Sequence, residues 1–207
     1  MNNFTSKALG RLSLFIVIIA LFGAVFLILF FIGDFNQIEW LHPFGPANDV
    51  SSLTISILTC VMAVMLLPSP RKQPVLFIAF LILIAAAWVG AAIVTVYSLR
   101  EGVLMPDNIY YTLKLKYDLA FITDNNGLFG QGLIGLWLTA VNIYAYIKKF
   151  WPRPTAILGA VSGVIQLIGL FGLSAAYWGV GGQVVWNFLL GRWIIQRVNL
   201  ADRPLDD

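Results

Sequence analysis

Residues 12–32 read LSLFIVIIALFGAVFLILFFI, twenty-one residues in a row without a charge. A helix needs about 20 mostly apolar residues to cross the hydrocarbon core of a bilayer, so this run is long enough to span. Lys7 and Arg11 precede it, and Gly33 and Asp34 follow. A secretory signal peptide also starts with basic residues, but its apolar core is about 7–15 residues and a small-residue cleavage site follows. This run is longer and leaves through Phe30, Phe31 and Ile32, so it reads as a retained anchor.

Five more apolar runs lie at 51–67, 75–97, 127–147, 155–177 and, after a turn expected at Gly179, Gly181 and Gly182, more weakly at 180–196. They are continuous, whereas barrel strands alternate in polarity over about 10 residues. Helices also satisfy their own backbone hydrogen bonds, as hydrocarbon requires. The expected fold is therefore all-α: a polytopic transmembrane helix bundle of about six spans, forming one domain over 1–207. Composition agrees, with 59% hydrophobic and 11% charged residues against about a quarter charged in soluble domains.

The basic residues order the threading. With the N-terminus inside, Lys7, Arg11, Arg71, Lys72, Lys148, Lys149, Arg153, Arg192, Arg197 and Arg203 fall on the inner side, and Arg100, Lys114 and Lys116 on the outer. Cytoplasmic loops carry such an excess, and an even number of spans returns the C-terminus inside. The expected location is the cell membrane, multi-pass, which in a bacterium is the cytoplasmic membrane. The same scatter of bases among short turns argues against a nucleic-acid partner despite the net charge of +3. The first outer loop, 33–50, holds Asp34, Glu39 and Asp49 and no base; these read as solvated acids. Trp40 and Tyr97 outside, with Tyr146 and Trp151 inside, fit headgroup anchoring.

Inside the runs, polar chemistry is confined to amides, hydroxyls and small residues. Gly159, Ser162, Gly163, Gln166 and Gly169 share one helical face, and Gly159 with Gly163 makes a GxxxG, the small-residue pattern by which membrane helices approach closely. Gln131, Gly135, Leu138 and Asn142 share a second face; Gln183, Asn187 and Gly191 a third; Ser52, Ser56, Thr59 and Ala63 a fourth. The candidate cavity-lining residues are thus Gln131, Asn142, Gln166, Gln183 and Asn187; interhelical hydrogen bonding is the plainer use of the same side chains. Trp88, Trp137 and Trp186 lie away from the run ends, where these amides are candidate partners for their indole N–H groups.

Runs one to five contain no Asp, Glu, Lys, Arg or His between their ends. A proton-coupled carrier usually relies on such a group. In the sixth run, Arg192 sits near the inner end, where it snorkels to the headgroups; anion or lipid-headgroup binding is the alternative. His42 alone cannot build a multi-histidine metal site or a bis-histidine haem, and no H-E-x-x-H, G-x-S-x-G or P-loop occurs. No catalytic residue, metal ligand or cofactor is therefore expected. Cys60 reads as a small buried hydrophobe. The outer stretch 109–121 alternates apolar and polar residues and reads as an interfacial cap, helix or strand.

The start Gly127-Leu128-Phe129-Gly130, the turn at Lys148 and Lys149, Pro152-Arg153 leading to Ile157-Leu158-Gly159, and Trp186 followed by Leu190-Gly191-Arg192 carry a likeness. Over 127–192 the chain resembles an uncharacterised bacterial six-helix integral membrane protein family, a domain of unknown function. That resemblance implies the six-helix fold and no activity. The resulting expectation is a non-enzymatic accessory, regulatory or assembly protein, with the bilayer and a membrane protein or a second copy as partners. A small carrier or channel for a neutral or lipidic solute is the alternative.

Overall fold

Helix ends in this chain are set by prolines and by residues in the left-handed region. Pro152 precedes the fifth helix and Pro154 falls in its first turn, where a missing N–H costs no intrahelical bond. Gln37 (φ 54°) and Lys149 (φ 56°) close the first and fourth helices. In both, the next N–H reaches back five residues, Ile38 to Gly33 (2.8 Å) and Phe150 to Ala145 (3.0 Å), satisfying carbonyls the helix leaves open. Gly172 (φ 71°) stops the chain after the fifth helix.

The computed structural model describes residues 3–41, 43–67, 73–98 and 128–201. These form α1 (Asn3–Asn36), a 3-10 turn (Glu39–Leu41), α2 (Phe44–Met65), α3 (Pro74–Ser98), α4 (Leu128–Lys148), α5 (Arg153–Leu167) running into a 3-10 turn (Ile168–Phe171), and α6 (Ala176–Ala201). There is no strand among the described residues, and the all-α class holds. By length and composition, four segments among the described residues can cross a membrane: Ser6–Asn36, Pro74–Ile93, Leu128–Lys148 and Arg153–Phe171. The apolar part of α2, Val50–Met65, is shorter. The cap at 109–121, His42, Arg71, Lys72, Gly127 and Arg203 lie outside the described residues.

Each helix packs on the next, and α6 returns to pack on α1, closing a ring. Neighbours run antiparallel. Phe26 stacks on Phe44 at 5.7 Å, and Cys60 Sγ–H donates to the Ala87 carbonyl (3.5 Å). Phe80 meets Tyr144 edge-on at 5.5 Å, Gly163 lies against Thr139, and Ser13 bonds Asn187. The Ser13–Asn187 bond and the Gly10–Gly191 contact put the start of α1 and the end of α6 at one end of the ring.

Three expectations need correction. The loop 33–50 is mostly helix: α1 continues to Asn36 and α2 begins at Phe44. The break near the end of the fifth run comes at Gly172, not at Gly179, Gly181 and Gly182, which lie inside α6. A side chain at Gly179 or Gly182 would strike Ser162, so these two let α6 approach α5 rather than turn the chain. Trp151 is not a headgroup anchor but is buried against Trp186, with ring centroids 6.5 Å apart.

The α4–α5 seam has glycine on both sides. A Cβ at Gly163 would meet Thr139 Oγ1 and the Thr139 backbone nitrogen, and one at Gly135 would stand 2.7 Å from the Gly163 carbonyl oxygen. Replacing Gly163 with Leu is therefore expected to push these helices apart. Unfolding in mixed micelles should show a loss of about 1–3 kcal/mol, the usual range for overpacking. The exposed helical residue Val164→Leu should change stability by less than about 0.5 kcal/mol.

Candidate functional site

The polar side chains of α1, α2, α5 and α6 converge on the inside of the ring. Gln166 Nε2 donates to Gln183 Oε1 (2.8 Å) and to the Gly179 carbonyl (3.1 Å). Gln183 Nε2 donates in turn to Thr59 Oγ1 (3.1 Å), so a relay of three side chains ties α5 through α6 to α2. One turn further along α6, Asn187 Nδ2 bonds the Gln183 carbonyl (3.1 Å). Ser13 Oγ–H donates to the Asn187 carbonyl (2.9 Å), with Asn187 Oδ1 at 3.0 Å. All five side chains are buried. Such bonds between membrane helices contribute about 0.6–2 kcal/mol each.

Asn142 stands apart from this relay. Its Nδ2 bonds the Leu138 carbonyl one turn back (2.9 Å), and its amide lies directly on Gly159 of α5. Glycine is required there because any Cβ would occupy the amide's own place. Gly159 and Gly163 thus both sit on the α4–α5 contact, while Ser162 on the neighbouring edge of α5 faces α6. One small-residue face serves two seams.

A cavity of about 40 Å3 lies above the relay, lined by Ser52, Ile55, Ser56, Thr59, Gln131, Ile134, Val180 and Gln183. About 10–15 Å3 admits one water, so it has room for roughly three or four. Of the five candidate residues, Gln131 and Gln183 border this cavity; Gln166 and Asn187 are bonded beneath it, and Asn142 is at the α4–α5 seam. Toward the termini the ring is filled by aromatic rings. Trp137 and Trp186 are fully buried and meet edge to face at 6.4 Å and 80°. Trp151 packs on the far side of Trp186.

The indoles do not use the amides. The Nε1 groups of Trp137, Trp151 and Trp186, together with Asn142 Oδ1 and Gln166 Oε1, have no hydrogen-bond partner among the described residues. Trp88 faces outward, 47% exposed. Asp34 and Glu39 are exposed, as solvated acids should be. Among the described residues, no three of His, Cys, Asp or Glu gather as a metal site would need. Ser13 is the member of the polar interior that pattern reading passed over. Its signal was a lone hydroxyl early in an otherwise apolar run. No protein-family model, curated protein or solved structure matches the chain.

Gln183 should be the critical amide, since its loss strands both Gln166 and Thr59. Gln183→Leu is expected to cost about 1–3 kcal/mol, the penalty of leaving buried polar groups unpaired. Gln131→Leu, which makes no side-chain bond among the described residues, should cost under about 1 kcal/mol. Equilibrium unfolding of both variants in mixed micelles checks the order; equal losses would contradict it.

Proposed function

We propose that this chain is a multi-pass protein of the cell membrane that acts without catalysis, as an accessory, regulatory or assembly partner, through helix packing. In this reading the six helices thread the bilayer with both termini inside, as the count of basic residues favours. The resemblance over 127–192 to the six-helix family is part of the same proposal. The observation that carries it is how the interior is used. Gln166, Gln183, Asn187, Ser13 and Thr59 bond one another, and Trp137 and Trp186 fill the space toward the termini. What the ring offers to its surroundings is its outside. The most apolar stretch of α1 is 11% buried within the chain, against 56% for that of α4. In lipid, an uncovered apolar face is either solvated by acyl chains or packed on another helix.

The second reading, a carrier or channel for a neutral or lipidic solute, rests on Gln131 and Gln183 facing the cavity. A conducting path would require Trp137 and Trp186 to move. Purification in mild detergent separates the two. The packing reading expects a particle larger than the 22.9 kDa chain, containing either a second copy or a membrane protein partner. It also expects glycerol flux into liposomes no faster than without protein. A strictly solitary chain counts against it, and flux abolished by Gln131→Leu would favour the carrier.

A further inference from the structure

The seam that closes the ring carries two arginines on its outer side. Gly10 of α1 and Gly191 of α6 are in backbone contact. A Cβ on Gly10 would be 3.3 Å from the Gly191 carbonyl oxygen, and one on Gly191 would be 2.9 Å from that of Gly10. The Ser13–Asn187 bond holds this register. Arg11 follows Gly10, and Arg192 follows Gly191. Each residue turns a helix by about 100° and rises about 1.5 Å. Because the two helices run antiparallel, a step of one residue on each turns toward the same side of the seam. The two arginines then differ in depth by only about 3 Å.

Burial identifies that side. Leu9, Ile16, Leu190 and Ile194, which the same geometry places on the opposite side, are buried. Arg11 and Arg192 are exposed, as are Phe15, Ile18, Val185 and Phe188, which lie on their side farther from the termini. The arginines therefore stand at one level above an apolar lipid-facing strip, over the point where the helix backbones come closest. Two other basic residues of this end lie over aromatic rings, Arg153 over Tyr146 (5.8 Å) and Arg197 over Trp193 (5.3 Å). Arg11 and Arg192 have no ion pair or ring contact among the described residues.

Two guanidinium groups on one side of one close seam concentrate positive charge, which an anion at the same level would offset. We propose that Arg11 and Arg192 together bind the phosphate of an anionic phospholipid, in the leaflet on the side of the chain termini. Guanidinium presents paired N–H donors that match phosphate oxygens. The depth suits a headgroup, and the exposed strip of Phe15, Ile18, Val185 and Phe188 suits its acyl chains.

Native mass spectrometry of the full-length chain in mild detergent, titrated with phosphatidylglycerol or phosphatidylcholine, tests this. The wild type should hold one phosphatidylglycerol in preference to phosphatidylcholine, with inorganic phosphate unable to displace it. R11Q and R192Q should each weaken that binding about fivefold, the effect of one basic residue at a membrane surface. The pair K148Q/K149Q, which removes the same charge elsewhere at this end, should stay within about twofold of wild type. Helix content by circular dichroism should be unchanged in all variants. The proposal is overturned if R11Q/R192Q binds phosphatidylglycerol as wild type does, or if K148Q/K149Q weakens it as much. It is equally overturned if phosphatidylcholine binds as tightly, or if inorganic phosphate competes at the same concentration.

Discussion

Hydrocarbon offers no hydrogen-bond partner, and this constraint organises the molecule. Backbone groups are satisfied within each helix, and at the ends of α1 and α4 by the back-bonds at Gln37 and Lys149. Side-chain amides find their partners inside the ring, in other side chains and in backbone carbonyls, while Gln166 Oε1 and Asn142 Oδ1 have none among the described residues. A glutamine facing lipid would carry an unpaired carbonyl and amino group into an apolar medium. Turned inward, Gln166 and Gln183 answer each other and engage Thr59. The relay thereby sets the rotation of α2, α5 and α6 about their own axes.

Packing follows from that rotation. With Gln166 facing inward toward α6, the same face of α5 carries Gly159 and Gly163 into α4. The hydrophobic effect adds nothing to association inside a bilayer, so contact area between close backbones has to supply the attraction. Glycines at 135, 163, 179 and 182 allow that approach across both seams of α5. The α1–α6 seam repeats the device with Gly10 and Gly191, and the Ser13–Asn187 bond adds a polar lock. Small residues and hydroxyls thus hold the second half of the chain together and fasten the first helix to it.

Much of this was legible in the sequence, and what was not has a physical cause. Continuous apolar runs revealed the helices, because the solvent leaves no other arrangement. The inward face of α5 could be read from spacing alone, since small and polar residues avoid lipid at the helical period. The glycines at 179 and 182 read as a turn because glycine serves both turns and close contacts, and only the three-dimensional neighbours tell the two uses apart. Trp151 misled for a related reason. A tryptophan beside a turn is amphipathic enough for the headgroup region, yet here it packs on Trp186. The run 33–50 looked like a loop because Pro43, Pro46 and the acids broke its hydropathy, while a proline near a helix start leaves the helix intact. Which amides border a cavity and which bond one another depends on the ring closing, and no single helix carries that information.

That hydrocarbon surrounds this ring is the claim on which the rest stands. It is tested most directly by single cysteines at position 36, after α1, and position 149, after α4, in a Cys60→Ala background. Both sites are exposed, at opposite ends of the ring. A membrane-impermeant thiol reagent applied to sealed cells should label Asn36→Cys at once and Lys149→Cys only after the membrane is opened. Equal labelling of both before lysis would contradict the account.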